Sequence, residues 1–206
     1  MVHYKLVYFP LRARAELARQ IFAYAGQDFE DAVVTFEQWP AMKNNTPFGQ
    51  LPVLEVDGQQ LGQSGAIVRY LSKQFGVSGK TSIEEAEVDA IADQFKDYLN
   101  DVQAYLSVVA GFKPGDKNQL RTDVFVPNFK KHFGFFEKIL ASSKSGFFVG
   151  DSLTYVDLLI SQHVEDILKQ DLAVVEEFKK VIAHRKKVQG LEGIKQWIAK
   201  RPDYPF

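Results

Sequence analysis

Residues 49–67 read GQLPVLEVDGQQLGQSGAI, and the parsing of this stretch decides the fold. Val53, Leu54 and Val56 make a short β-prone run, and Asp57-Gly58 supplies the positive φ angles of a tight turn into Gln59–Gly62. That is a hairpin. Pro52 stands at the mouth of its first strand, where a missing N–H cannot join a ladder. Beyond the hairpin, Gln63 and Ser64 open a run with Ile67, Val68 and Leu71 on one helical face, ended by Gly76. Pro52 and the Gln63-Ser64 pair are two polar or awkward joints in an otherwise regular segment.

Toward the N-terminus, YKLVYF (4–9) is another β-prone run, and residues 13–26 place Leu17, Ile21, Phe22 and Ala25 at helical spacing before Gly26. FEDAVVTF (29–36) reads as a strand and EQWPAMKNN (37–45) as a short helix or irregular turn. The order is β-α-β-α-β-β-α. Toward the C-terminus the strand signal ends at VSGKTS (77–82), a linker without an apolar anchor. Ser82 with Glu85 fits a capping box that opens a long helix through Val88, Phe95, Leu99 and Val109. GFKPGDKNQ (111–119) breaks it, a second long helix carries Leu120 to Leu140, and 154–169, 174–189 and 191–200 are helical in pattern. The composition therefore predicts a small α/β domain over 1–76, a linker over 77–82 and an all-helical domain over 83–206.

The 206 residues are enough for one large domain or two small ones with real cores. Seventeen Phe and eight Tyr make those cores aromatic, and 25 basic against 26 acidic residues give no sign of a general nucleic-acid or membrane-surface binder. Without cysteine the chain has no disulfide, no thiolate metal site and no thiol nucleophile of its own. The start, MVHYKLVYFP, has no leader pattern, and no apolar run approaches membrane-spanning length, so a cytoplasmic protein is expected. The histidines at 3, 132, 163 and 184 show neither metal-ligand nor triad spacing.

An α/β module of this order, with a proline before its hairpin, is similar to the thioredoxin fold. Joined to a helical domain, it resembles the cytosolic glutathione transferases. YKLVYF with Tyr8, RARAE with Arg14, EQWPAMK with Trp39 and Lys43, PFGQLPVLEVDG, GQSGAIVRYL, VDAIADQFKDYL and GDSLTYVDLL together resemble the sigma-type branch, above all its nematode (nu-class) members.

The resemblance implies that the Leu51–Pro52 bond is cis and that Leu51 pairs its backbone with the cysteinyl part of glutathione. Taken plainly, Pro52 is a strand-edge proline, Ser64 a helix N-cap and Tyr8 a core residue with a hydrogen-bonded tip. In the resembled enzymes Gln63 and Ser64 bind the γ-glutamyl carboxylate at the helix N-terminus, a natural anion site. Tyr8 donates its O–H to the glutathione sulfur there, with Arg14 adding positive charge. Trp39 and Lys43, at i, i+4 spacing, would hold the glycyl end with Gln50; the plain alternative is packing and a solvated amine. Asp97, on a stripe with Asp93 and Asp101 that otherwise reads as solvated, would reach the γ-glutamyl amine of the neighbouring subunit in a homodimer.

Second-substrate contacts implied are Phe9, Leu11, Ala13, Lys96, Leu99, Tyr105 and Phe206, with Ala13 standing where glycine is common in relatives. Lys96 replaces an acid of the vertebrate prostaglandin D synthases of this branch, so no metal site is expected. Thr154 and Asp157 fit a structural capping box, and Phe48 is either an interface key or local packing. The function implied is conjugation of the glutathione thiolate to hydrophobic electrophiles, with glutathione as co-substrate and no permanent cofactor. Prostaglandin H to D isomerisation, or carriage of haem or other hydrophobic ligands, are the alternatives; Ala104 does not reproduce the aromatic wall associated with the isomerase.

Overall fold

The computed structural model describes residues 2–170 and 172–204. They form two compact units, one running to Ser78 and resuming at Gln189, the other spanning Gly79–Val188.

The first unit contains β1 (Tyr4–Tyr8), α1 (Ala13–Ala25), β2 (Glu30–Val33), α2 (Trp39–Met42) with a 3-10 turn at Lys43–Asn45, β3 (Val53–Val56), β4 (Gln59–Gly62) and α3 (Ser64–Gln74). The sheet order is β2-β1-β3-β4. β1 pairs parallel with β2, Leu6 opposite Asp31, and antiparallel with β3, Leu6 opposite Leu54. The hairpin closes as its turn chemistry requires, with Asp57 at φ 49° and Gly58 at φ 85°. Leu6, Leu54, Ile21, Phe22, Ile67 and Leu71 are fully buried between the sheet and the packed pair α1 and α3.

Two features of this unit differ from the pattern reading. The expected linker begins with an anchor: Val77 is 1% exposed and its N–H donates to the Ser72 carbonyl. The C-terminal helix, expected over 191–200 as part of the all-helical domain, groups with the α/β unit. The reason is the packing of the C-terminal helix (Glu192–Lys200) on α1. A Cβ at Gly193 would lie 2.5 Å from the Ala23 carbonyl oxygen, so only glycine permits this approach. Trp197 Nε1 and Arg201 Nη1 each donate to Glu16 Oε1 at 2.9 Å, neutralising a carboxylate that is 1% exposed.

The second unit comprises α4 (Ser82–Asp101), α5 (Gln103–Val109), α6 (Lys117–Leu120), a π-helical turn (Arg121–Phe125), α7 (Val126–Ser142), α8 (Tyr155–Gln170), α9 (Leu172–Val175) and α10 (Lys179–Gln189). Capping falls one residue earlier than Ser82. Thr81 Oγ1 accepts from the Glu84 N–H at 3.3 Å, and the Glu84 carboxylate accepts from Lys80 N–H at 2.6 Å. Thr81 with Glu84 has the same spacing as Ser82 with Glu85, so sequence offers both registers. The long first helix is interrupted at the buried Val102 (φ −99°, ψ 3°), and the second starts only after the π-helical turn. The core is rich in aromatic rings, with Phe129 and Phe133 stacked at 3.9 Å and 7°.

His163 lies in this core, its Nε2 2.9 Å from the Tyr98 hydroxyl and its ring edge-on to Phe95 and Tyr98. Burial lowers its pKa from 6.5 to about 4. Between those values only the unfolded chain binds the proton, so stability falls as pH drops through the window, by about 2–3 kcal/mol at its acid end. Thermal midpoints of wild type and His163→Phe measured from pH 7 to 4 check this. The variant should lose distinctly less over that range, and parallel curves would refute the assignment.

Candidate functional site

Tyr8 ends β1, where its carbonyl accepts the Val34 N–H at 2.8 Å. Its side chain is 5% exposed. Burial raises the phenol pKa above 10, opposed by the Arg14 backbone N–H on its oxygen and by the charges of Arg14 and Arg19. Tyr8 is therefore protonated at neutral pH. In that form its O–H is a hydrogen-bond donor.

The turn between β1 and α1 sets this geometry. Ala13, first in α1, has φ +30°, a left-handed conformation that costs a side-chain-bearing residue about 1–2 kcal/mol. Strain of this kind concentrates at functional positions, and here it sits beside Tyr8 and the exposed Arg14. Phe9 and Leu11 are half-buried in the same turn. Arg19 braces it: Nη1 donates to the Leu11 carbonyl at 2.9 Å while Nε donates to Asp31 at 2.9 Å. Sequence reasoning missed Arg19, since a helical arginine reads as solvated; the β2 carboxylate of Asp31 at 2.9 Å and the buried Glu16 at 3.9 Å make its burial tolerable.

A second group gathers around β3 and α3. Trp39 and Leu51 pack on the buried Val7, Val34 and Val53. The Leu51–Pro52 bond is cis. The Lys43 stem passes over Gly49, its Cε 3.5 Å from where a Cβ would stand. Gln63 Nε2 donates to Gln50 Oε1 at 3.4 Å, so these two expected binding residues meet. Gln63 itself has φ 70° and ψ 112°, unusual for a residue with a side chain. It occupies the cap position, its carbonyl accepting the Ile67 N–H at 3.0 Å. Ser64 is the first helical residue, and α3 has no side-chain cap, so the plain N-cap role expected for Ser64 does not hold. The N–H groups of that first turn are the usual unpaired ones of a helix start. Phe48 lies across Gly62 but is 63% exposed, so packing within its own unit does not account for it.

In the second unit Lys96 and Asp97 are exposed on α4 and Leu99 is half-buried. Tyr105 is 2% exposed with its ring stacked on Phe125 at 4.5 Å, which leaves little of it for a ligand to touch. Asp101 is not simply solvated: His132 Nε2 lies 2.9 Å and Lys131 Nζ 3.3 Å from its Oδ2, and both lower its pKa. Phe206 lies outside the described residues. Asp157 is structural, as its spacing implied, accepting from Thr154 N–H at 2.7 Å and Thr154 Oγ1 at 2.8 Å.

The chain matches family models for the glutathione S-transferase N-terminal domain over residues 3–73 and the glutathione S-transferase C-terminal domain over 85–201. It is 76% identical over 206 residues to a Caenorhabditis elegans protein named probable glutathione S-transferase 6, with all of each chain covered. Among solved structures it is similar to a nu-class enzyme of Haemonchus contortus, 50% identical, all of each chain covered, TM-score 0.94. It is likewise similar to a glutathione S-transferase of Necator americanus described as monomeric, 46% identical, covering 99% of this chain and 100% of that one, TM-score 0.97.

Proposed function

Since the chain belongs to the glutathione S-transferase family, we propose that its first unit binds reduced glutathione and that Tyr8 holds the sulfur as a thiolate for attack on a hydrophobic electrophile. The observation that carries this is the Tyr8 phenol, buried at the end of β1 and kept protonated, with the Arg14 charge acting on it. A free thiol has a pKa of about 8.5. A hydrogen bond to the ionised sulfur, with Arg14 adding positive field, lowers that value, by one unit for each ~1.4 kcal/mol of preference for the thiolate. Binding the electrophile beside the thiolate supplies proximity, and the fixed donor supplies charge stabilisation without reorganisation.

The contacts around Gln50 and Gln63 support one continuous grip on the tripeptide. Lys43, Trp39 and Gln50 take the glycyl end, the Leu51 backbone beside Pro52 the cysteinyl part, and Gln63 with the α3 N-terminus at Ser64 the γ-glutamyl carboxylate. Phe9, Leu11 and Ala13 face the electrophile from the β1–α1 turn, with Lys96, Leu99, Tyr105 and Phe206 as further contacts, Tyr105 only by its edge. Asp97 of the partner subunit reaches the γ-glutamyl amine in a homodimer, and the exposed Phe48 is suited to that interface. Glutathione serves as co-substrate, with no resident cofactor or metal, in a cytoplasmic protein that engages neither nucleic acid nor membrane. No described helix is long and apolar enough to cross a membrane. Conjugation is favoured over isomerase and carrier roles by the transferase names of the full-length relatives.

Purified protein should turn over glutathione and an activated aryl halide with saturation in both substrates. Glutathione binding by calorimetry without conjugation above background would point to a carrier instead. No binding would sink the site assignment. Sedimentation equilibrium decides between dimer and monomer.

A further inference from the structure

We infer that Arg201 and Trp197 are positioning residues that govern how much of the Arg19 charge reaches Tyr8, by holding the Glu16 carboxylate off Arg19. The inference rests on the transferase reading. Glu16 lies in the first turn of α1, two residues beyond Arg14, and is buried. Trp197 Nε1 and Arg201 Nη1 donate to its Oε1 at 2.9 Å, and Gln20 Nε2 lies 3.4 Å from the same oxygen. Arg19 Nη1 stands further off, 3.9 Å from Oε2. Two buried cations therefore share one carboxylate, and the end of the C-terminal helix has the closer hold.

Arg19 is the other side of this balance. Its Nε donates to Asp31 and its Nη1 to the Leu11 carbonyl in the β1–α1 turn. Its buried Nη2 has no hydrogen-bond partner among the described residues. From there its charge acts on the Tyr8 phenol, as does that of Arg14, and Arg12 is a further cation of the same turn. A carboxylate drawn into direct contact cancels more of a cation's field than one held away from it. Without Arg201, Arg19 becomes the strongest attraction left to Glu16, with Nη2 open to receive it. The positive field at Tyr8 then weakens, and a sulfur anion held there loses support. Glu16→Gln does the reverse: it keeps an acceptor oxygen, removes the negative charge and leaves the Arg19 field less opposed.

The test follows the ultraviolet absorbance of the glutathione thiolate in the binary complex against pH, with kcat/KM for an activated aryl chloride beside it. Arg201→Met should move the thiol midpoint to the alkaline side, lowering kcat/KM about 3-fold below the midpoint and leaving it nearly unchanged above. Glu16→Gln should move the midpoint to the acid side. Arg201→Lys, which keeps the charge, should restore the wild-type midpoint. Trp197→Phe removes one donor from Glu16 and should shift the midpoint as Arg201→Met does, by less; it decides the matter if Arg201→Met does not fold. A loss equal at every pH, an unmoved midpoint, or shifts of the same sign in Arg201→Met and Glu16→Gln shows a purely structural tie and overturns this inference alone. Wild type that shows no thiolate band with glutathione at any pH below the free thiol's range overturns the transferase reading, and the inference with it.

Discussion

Tyr8→Phe is expected to lower kcat/KM for conjugation by about 10- to 100-fold, the worth of a hydrogen bond to a charged acceptor. The substitution keeps the ring that packs at the end of β1 and removes only the O–H. Glutathione affinity should stay within a few-fold, because the grip through Lys43, Gln50 and Gln63 does not depend on the phenol. The pH profile of kcat/KM should also move to the alkaline side, since the sulfur loses a donor that favours its ionised form. The phenol's own pKa lies above 10, so its ionisation does not contribute below that value. Stopped-flow rates with an aryl halide across pH 6 to 9 read both effects. A variant with the wild-type rate and profile would remove Tyr8 from the mechanism.

Asp157→Ala carries the largest expected cost in stability. The carboxylate is fully buried and accepts four hydrogen bonds: from Phe148 N–H at 2.9 Å, both Thr154 donors, and His184 Nε2 at 2.8 Å. Removing it leaves those donors unpaired in a site without water access. Losses of about 3–5 kcal/mol follow when one partner of such a pair is deleted. For a chain of this size that is a fall in thermal midpoint of about 10 °C. Calorimetry and urea titration check it. Thr154→Val, which removes one of the four donors, should cost about 1 kcal/mol. A loss below that figure for Asp157→Ala would show that the hub is not what organises the start of α8.

Much of the first unit was legible because its chemistry is local. Asp57-Gly58 determined the hairpin, and the resemblance carried by Tyr8, Arg14, Pro52 and Ser64 pointed to a thiol tripeptide. Both rest on residues adjacent in the chain, where turn chemistry and motif spacing are read directly. Thr81 shows the limit of that method, since two overlapping capping boxes satisfy the same rule and tertiary packing selects between them. The interruption at Val102 and the π-helical turn before α7 are invisible to periodicity, because each keeps its apolar residues buried.

What the sequence determined by itself is the order β-α-β-α-β-β-α followed by helices, the turn residues of the hairpin, the Thr154–Asp157 cap and the family resemblance. Only the tertiary structure decided that residues after Gln189 belong with the first unit. The same holds for the burial of Arg19 and Glu16 against distant partners. Local pattern reports which residues prefer to be buried or to turn. The partner that makes a buried charge tolerable comes from a remote part of the chain and is set by packing.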